Sequence, residues 1–165
     1  MLLTVVLATL HILFAIAWLG GGVMFGMIIA PALASLTPGA SREFFVRIGP
    51  RVVRFFQVVP VLTILFGLLL LGNMVQGDWS QLQNTGWGQD ISAGMLLAIV
   101  ALVVSEAGSG PALAKLITTV GSVGTPGGPG PEAIPPAVAK ARNLAMVVMV
   151  LLLATLVCMA AAGFY

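Results

Sequence analysis

The stretch Leu2–Ala30, LLTVVLATLHILFAIAWLGGGVMFGMIIA, carries no charged residue, and its reading decides the fold. It exceeds the roughly 20 apolar residues that cross a hydrocarbon core as a helix. His11, the only histidine of the chain, stands inside it. His11, Trp18 and Phe25 recur every seven residues, so a helix gathers them with Ala15 and Gly22 on one face. That face is polar once, aromatic twice and small in between.

The rest of the chain fits the same solvent. Of 165 residues, 59% are hydrophobic and 7% charged, against roughly 25% charged in an average soluble protein. Seven basic and five acidic side chains do not cover a soluble domain of this length. Three further apolar segments follow the first, so the expected spans are about 2–30, 52–74, 91–118 and 143–164. The first and third exceed what a bilayer needs, which predicts tilt or extension beyond it. Length indicates a single domain, 1–165. The expected architecture is all-α, a polytopic four-helix antiparallel bundle. Ala32-Leu33-Ala34 resembles a signal-cleavage site, but no basic n-region precedes it and the apolar run is about twice a normal h-region. The segment is read as a retained helix.

Charge sets the orientation. Arg42, Arg47, Arg51 and Arg54 lie between the first and second spans, and Lys115, Lys140 and Arg142 between or beside the third and fourth. The connection between the second and third holds Asp78 and Asp90 but no Lys or Arg. The positive-inside rule therefore predicts both termini outside and basic loops in the cytoplasm, in a bacterial-type plasma membrane. This explains the basic excess without a nucleic-acid partner.

Arg47, Arg51 and Arg54 are spaced to share a helical face beside Phe44, Phe45, Ile48, Phe55 and Phe56. That pattern reads as an interfacial helix on anionic headgroups, or as an anion site, for instance for haem propionates, because guanidinium forks match carboxylates. Pro50 is expected to open the second helix, and Pro60 to kink it, leaving a carbonyl for Thr63 or a neighbour. Trp79 and Trp87 are expected at headgroup level. Residues 121–136, rich in Gly and Pro, read as a flexible cytoplasmic linker. No strand precedes them and no Gly-Lys-Ser/Thr follows, which excludes a phosphate loop.

His11 lies about nine residues into its helix, roughly 14 Å from the outer end. An ionisable group at that depth needs a partner or a function. The outer halves of the other spans offer Met74, Met95, Cys158 and Met159. Imidazole with thioether or thiol suits Cu(I), and His/Met ligation suits haem. One histidine excludes a two-haem bis-His cytochrome. Glu106, in Ser105-Glu106-Ala107-Gly108-Ser109-Gly110-Pro111, is the other intramembrane ionisable residue. It lies roughly 8 Å deeper than His11. It is read as a protonated or Arg-paired carboxyl, or as a proton or cation relay, beside a helix break at Gly108, Gly110 and Pro111. Gly22 and Gly26, with Ala30, form a small-residue ridge for close helix approach within the bundle or between subunits, as do Gly108 and Ala112. Cys158 is the only cysteine, so there is no intramolecular disulfide and no zinc-type cluster. No Ser-His-Asp, HExxH or CxxC arrangement supports a hydrolase or zinc enzyme.

The segment Leu10–Gly22 has the spacing His-x6-Trp-x-Gly-Gly (His11, Trp18, Gly20, Gly21). Ala30-Pro31-Ala32-Leu33 and an Arg-rich connection follow it. Together they resemble the CopD-like superfamily of small membrane proteins. That group includes copper-resistance membrane proteins and, more distantly, the membrane-bound protoporphyrinogen oxidase. The likeness covers the first helix in detail and the others in layout. It implies a redox or metal-handling role with haem b or copper as cofactor, His11 matching the histidine implicated in haem binding. Trp18, Met95 and Met159 stand as its candidate neighbours. The lysine of the oxidase branch near the start of the third helix has no counterpart in Trp87–Met95. The alternative expectation is a cofactor-free accessory subunit of a larger respiratory or transport complex, or a homo-oligomer, docked through the glycine ridge. A small transporter or channel using Glu106 ranks third.

Overall fold

The computed structural model describes residues 1–165, except the side-chain surroundings of Ala34 and Pro38, which lie outside the described residues. The Ala32–Ala34 motif is therefore described only by its backbone, which is helical. α1 (Leu2–Val23) passes through a π-helical turn, Met24–Ile29, into α2 (Ala30–Ser35). α3 (Pro38–Val75) is followed by the short α4 (Gln81–Asn84) and by α5 (Gly86–Val104). A second π turn, Ser105–Ser109, joins α5 to α6 (Gly110–Ser122), and a 3-10 turn, Pro131–Ala133, leads into α7 (Ile134–Ala162). These form four helices long and apolar enough to cross a membrane: Leu2–Leu33, Gly39–Val75, Gly86–Ser122 and Pro131–Ala162.

Successive spans run antiparallel. Asn73 Nδ2 donates to Thr4 Oγ1 at 2.8 Å, His11 packs on Gly67, and Gly21 faces Phe55. Gly94 meets Met159 and Gly108 meets Leu144 in the third and fourth spans. Gly49 meets Ile117, and Arg42 Nε donates to Gly121 O at 3.0 Å, which joins the second span to the third. Gly26, against Met146 and Ala145, closes the ring between first and fourth. Leu3, Ile12, Ile16, Leu65, Val103 and Val157 point outward. Apolar surface inside and out is the pattern of helices solvated by lipid, where close packing and interhelical hydrogen bonds hold the bundle.

Both π turns precede a proline. Ala30 N–H reaches back to Phe25 O, and Gly110 N–H to Ser105 O. Pro31 and Pro111 donate no hydrogen bond, and each ring crowds the carbonyl four residues back. A wider turn upstream relieves that contact without ending the helix. Each wide turn takes up an extra residue, so faces downstream rotate by about 100°.

Several expected boundaries are corrected. The second helix starts at Pro38, not Pro50: Thr37 Oγ1 accepts from Ala40 N–H, and Pro38 sits in the first turn. Arg47, Arg51 and Arg54 therefore ride on the same 38-residue helix as the second span, and no separate interfacial helix exists there. Pro50 and Pro60 both lie inside it. The reason lies in a core at the basic end, built from Phe25, Leu33, Phe45, Leu116, Val120 and Val138, which supports all four helices beyond their apolar windows. α7 starts at Ile134, so Pro135 and Pro136 occupy its first turn and only the 123–133 part of the Gly/Pro segment connects the helices.

Candidate functional site

The pairs formed by the first and second spans and by the third and fourth meet at the basic-end core and again at Trp18, Val59, Ala101 and Val148. Nearer the termini they leave a cavity of about 360 Å³. His11, Ala15 and Trp18 border it from the first span, Thr63, Gly67 and Met74 from the second. Trp87 and Met95 border it from the third span, Thr155 and Met159 from the fourth. The residues singled out in the sequence thus converge: His11, Trp18, Met74, Met95 and Met159 share one cavity. Cys158 packs beside Gly94 and is not among the bordering residues. Trp87, expected at headgroup level, is half-buried at the cavity; Trp79 is exposed.

His11 Nδ1 lies 2.9 Å from the carbonyl oxygen of Thr63. A carbonyl only accepts, so Nδ1 carries the hydrogen and donates it. In the neutral ring this leaves Nε2 with its lone pair. Gly67 makes the placement possible, because a Cβ there would stand 2.8 Å from His11 Cε1 and 2.9 Å from Nδ1. The threonine hydroxyls at the cavity are already committed: Thr63 Oγ1 donates to Val59 O and Thr155 Oγ1 to Leu151 O, each at 2.9 Å. His11 Nε2 is then the strongest uncommitted acceptor at the cavity, among thioethers and hydrocarbon.

Trp18 is 1% exposed and borders a second, smaller cavity of about 30 Å³ with Gly22, Phe25, Ser105 and Ser109. The face anticipated in the first helix is therefore inward along its length. Gly26 packs against the fourth span, so that part of the glycine ridge serves the bundle itself.

Glu106 sits on the second π turn with its side chain exposed, while the adjacent Ser105 is buried. It borders neither cavity, and among the described residues no basic group pairs with it. The Arg-paired reading is thereby corrected. The extra residue of the wide turn shifts the face that simple periodicity assigns. At the basic end, Arg47 pairs with Glu43 at 3.0 Å, both well exposed, a geometry that contributes little to stability. Arg51 Nη1 donates to Arg47 O at 2.7 Å. Arg54 immediately precedes Phe55, which packs on Gly21, so it lies roughly 16 Å along the bundle from His11. No arginine or lysine borders the cavity.

Among the described residues no group of three or more His, Cys, Asp or Glu side chains assembles a metal site; a metal at His11 would take thioethers as partners. Sequence reasoning missed Thr63 as the acceptor for His11, Gly67 as its seat, and Ser105 and Ser109. Gly67, inside an apolar helical run, was a readable sign of close approach; the serines gave none. Comparison with family models, curated protein sequences and solved structures yields no match.

Proposed function

We propose that the protein is a redox or metal-handling membrane protein that binds copper through His11 Nε2, with Met95 and Met159 as thioether neighbours. The observation that carries this reading is the His11 Nδ1–Thr63 carbonyl bond. Metal-ligating histidines characteristically donate their other ring N–H to a carbonyl or carboxylate, which fixes the tautomer and aims the lone pair. One imidazole among thioethers is a soft donor set, suited to Cu(I). Thr63 holds the ring, Gly67 gives it room, and the apolar walls keep water away. Bound copper would supply one-electron chemistry or serve as cargo. With the basic helix ends in the cytoplasm, the site lies in the outer half of a bacterial-type plasma membrane.

Haem b is the second reading. The 360 Å³ space favours it, since a bare ion needs far less. The donor chemistry fits haem less well, because propionates would meet no cation at the cavity. The nearest of the Arg47, Arg51 and Arg54 row lies roughly 16 Å along the bundle from His11.

The test is metal binding by the purified protein. Under reducing conditions, competition with a chromogenic Cu(I) chelator is expected to give one copper per chain, with affinity at least tenfold weaker in His11→Ala. A Soret band that disappears in His11→Ala moves the assignment to haem. Protein that binds neither overturns both readings and leaves the accessory-subunit alternative.

A further inference from the structure

We infer that the small cavity beside Trp18 is the head-group pocket for an uncharged, carbonyl-bearing lipid whose apolar body extends along the neighbouring part of the larger cavity. Trp18 Nε1 and Ser109 Oγ are both buried and have no hydrogen-bond partner among the described residues. Both border the same space of about 30 Å³, together with the buried Ser105. An indole N–H can only donate, and a serine hydroxyl can turn to donate. Orphaned donors of this kind are costly in an apolar interior. The space of about 30 Å³ exceeds the roughly 10–15 Å³ that one water needs, so it seats a carbonyl oxygen. A carbonyl oxygen, with two lone pairs, satisfies two donors at once.

The two cavities adjoin, since Trp18, Leu19 and Leu152 border both. An acceptor seated at Trp18 therefore places the group that carries it beside the 360 Å³ apolar space. No Asp, Glu, Lys or Arg borders either cavity, so a charged head would lose its hydration without compensation. Ile12, Ile16, Leu68 and Leu156 border the larger space while exposed on the lipid-facing surface, which gives a bilayer solute a lateral way in. Water is the competing occupant of the small space. The head-group contact is separate from His11, which is seven residues from Trp18 along the helix, roughly 10 Å.

The test uses full-length protein labelled with ¹⁵N-tryptophan in lipid nanodiscs. Its three indole N–H signals are assigned with Trp79→Phe and Trp87→Phe. The probes are farnesylacetone, a prenyl ketone, and pentadecane, a hydrocarbon without the oxygen. The Trp18 indole proton is expected to move downfield saturably with the ketone and not with pentadecane. Ser109→Ala should weaken the ketone about fivefold, the loss of one neutral hydrogen bond. Equal responses to both probes, or an affinity unchanged in Ser109→Ala, overturn the inference. So does a Trp18 signal that the ketone leaves in place, which assigns the space to permanent water.

Discussion

Gly67→Ala places a methyl group where the His11 ring now lies, 2.8 Å from Cε1 and 2.9 Å from Nδ1. Carbon atoms in ordinary contact stand about 3.5–4.0 Å apart, so the imidazole must leave. It is held by its bond to Thr63, which breaks when it moves. Alanine in a helix interior is worth about 1 kcal/mol over glycine. Against that stand about 0.5–1.5 kcal/mol for the hydrogen bond and about 1–3 kcal/mol for overpacking. The net is a destabilisation of about 0.5–3.5 kcal/mol, where propensity alone gives a gain. In a His11→Ala background the clash is gone, and Gly67→Ala should stabilise by about 1 kcal/mol. The full cycle is measurable by unfolding the four proteins with SDS in mixed micelles, the coupling between the two sites being the readout. Copper affinity of the single Gly67→Ala variant should fall about 10–100-fold, as expected when a ligand loses the group that orients it. Equal stabilisation by Gly67→Ala in both backgrounds, with copper affinity unchanged, would refute the placement of His11 on Gly67.

Asn73→Leu removes the interhelical bond to Thr4 and should cost about 0.6 kcal/mol, at most about 1.7, by the same SDS titration; Thr4→Val in that background should add nothing further. Asp78 receives hydrogen bonds from Ser80 Oγ at 2.6 Å and from Gln81 Nε2 at 3.2 Å. These hold its carboxyl below the usual 3.8, chiefly through Ser80. Because the folded value is depressed, the turn's stabilisation is fully present above the ordinary 3.8 and is lost as pH falls through the lowered value. Amide exchange protection at Gln81–Asn84 should therefore drop on acidification below about 3.8, and Asp78→Asn should abolish that dependence. Orientation is read with Cys158→Ala carrying either Ser80→Cys or Thr125→Cys. The first should react with an impermeant maleimide from outside and the second only from the cytoplasm; the reverse pattern inverts the assignment.

Four spans were legible in the chain because transfer into lipid is close to additive along an apolar run. An even number of spans puts both termini at one end, and clustering of all basic residues at the other follows from their positions alone. The inward face of the first helix was legible for a similar reason: Leu2–Val23 is regular, so seven-residue spacing holds from His11 to Trp18. Helix ends were not. Pro50 looks like a start, but contacts such as Phe45 and Leu116 carry the helix through it, and hydropathy does not register contacts between segments far apart in sequence.

Glu106 marks the limit of periodic reasoning, since the π turn beginning at Ser105 changes the number of residues per turn just where the face must be assigned. The convergence of Met74, Met95 and Met159 with His11 was likewise a tertiary result, set by the register of antiparallel pairs that fit glycine against a bulky side chain, as Gly67 on His11 and Gly94 on Met159. The sequence by itself determined the solvent, the number of spans and the grouping of charge, because these depend on residue transfer energies summed locally. Only the tertiary structure decided what His11 touches, where the cavities lie and which way Glu106 points, because those follow from the packing of one helix against another.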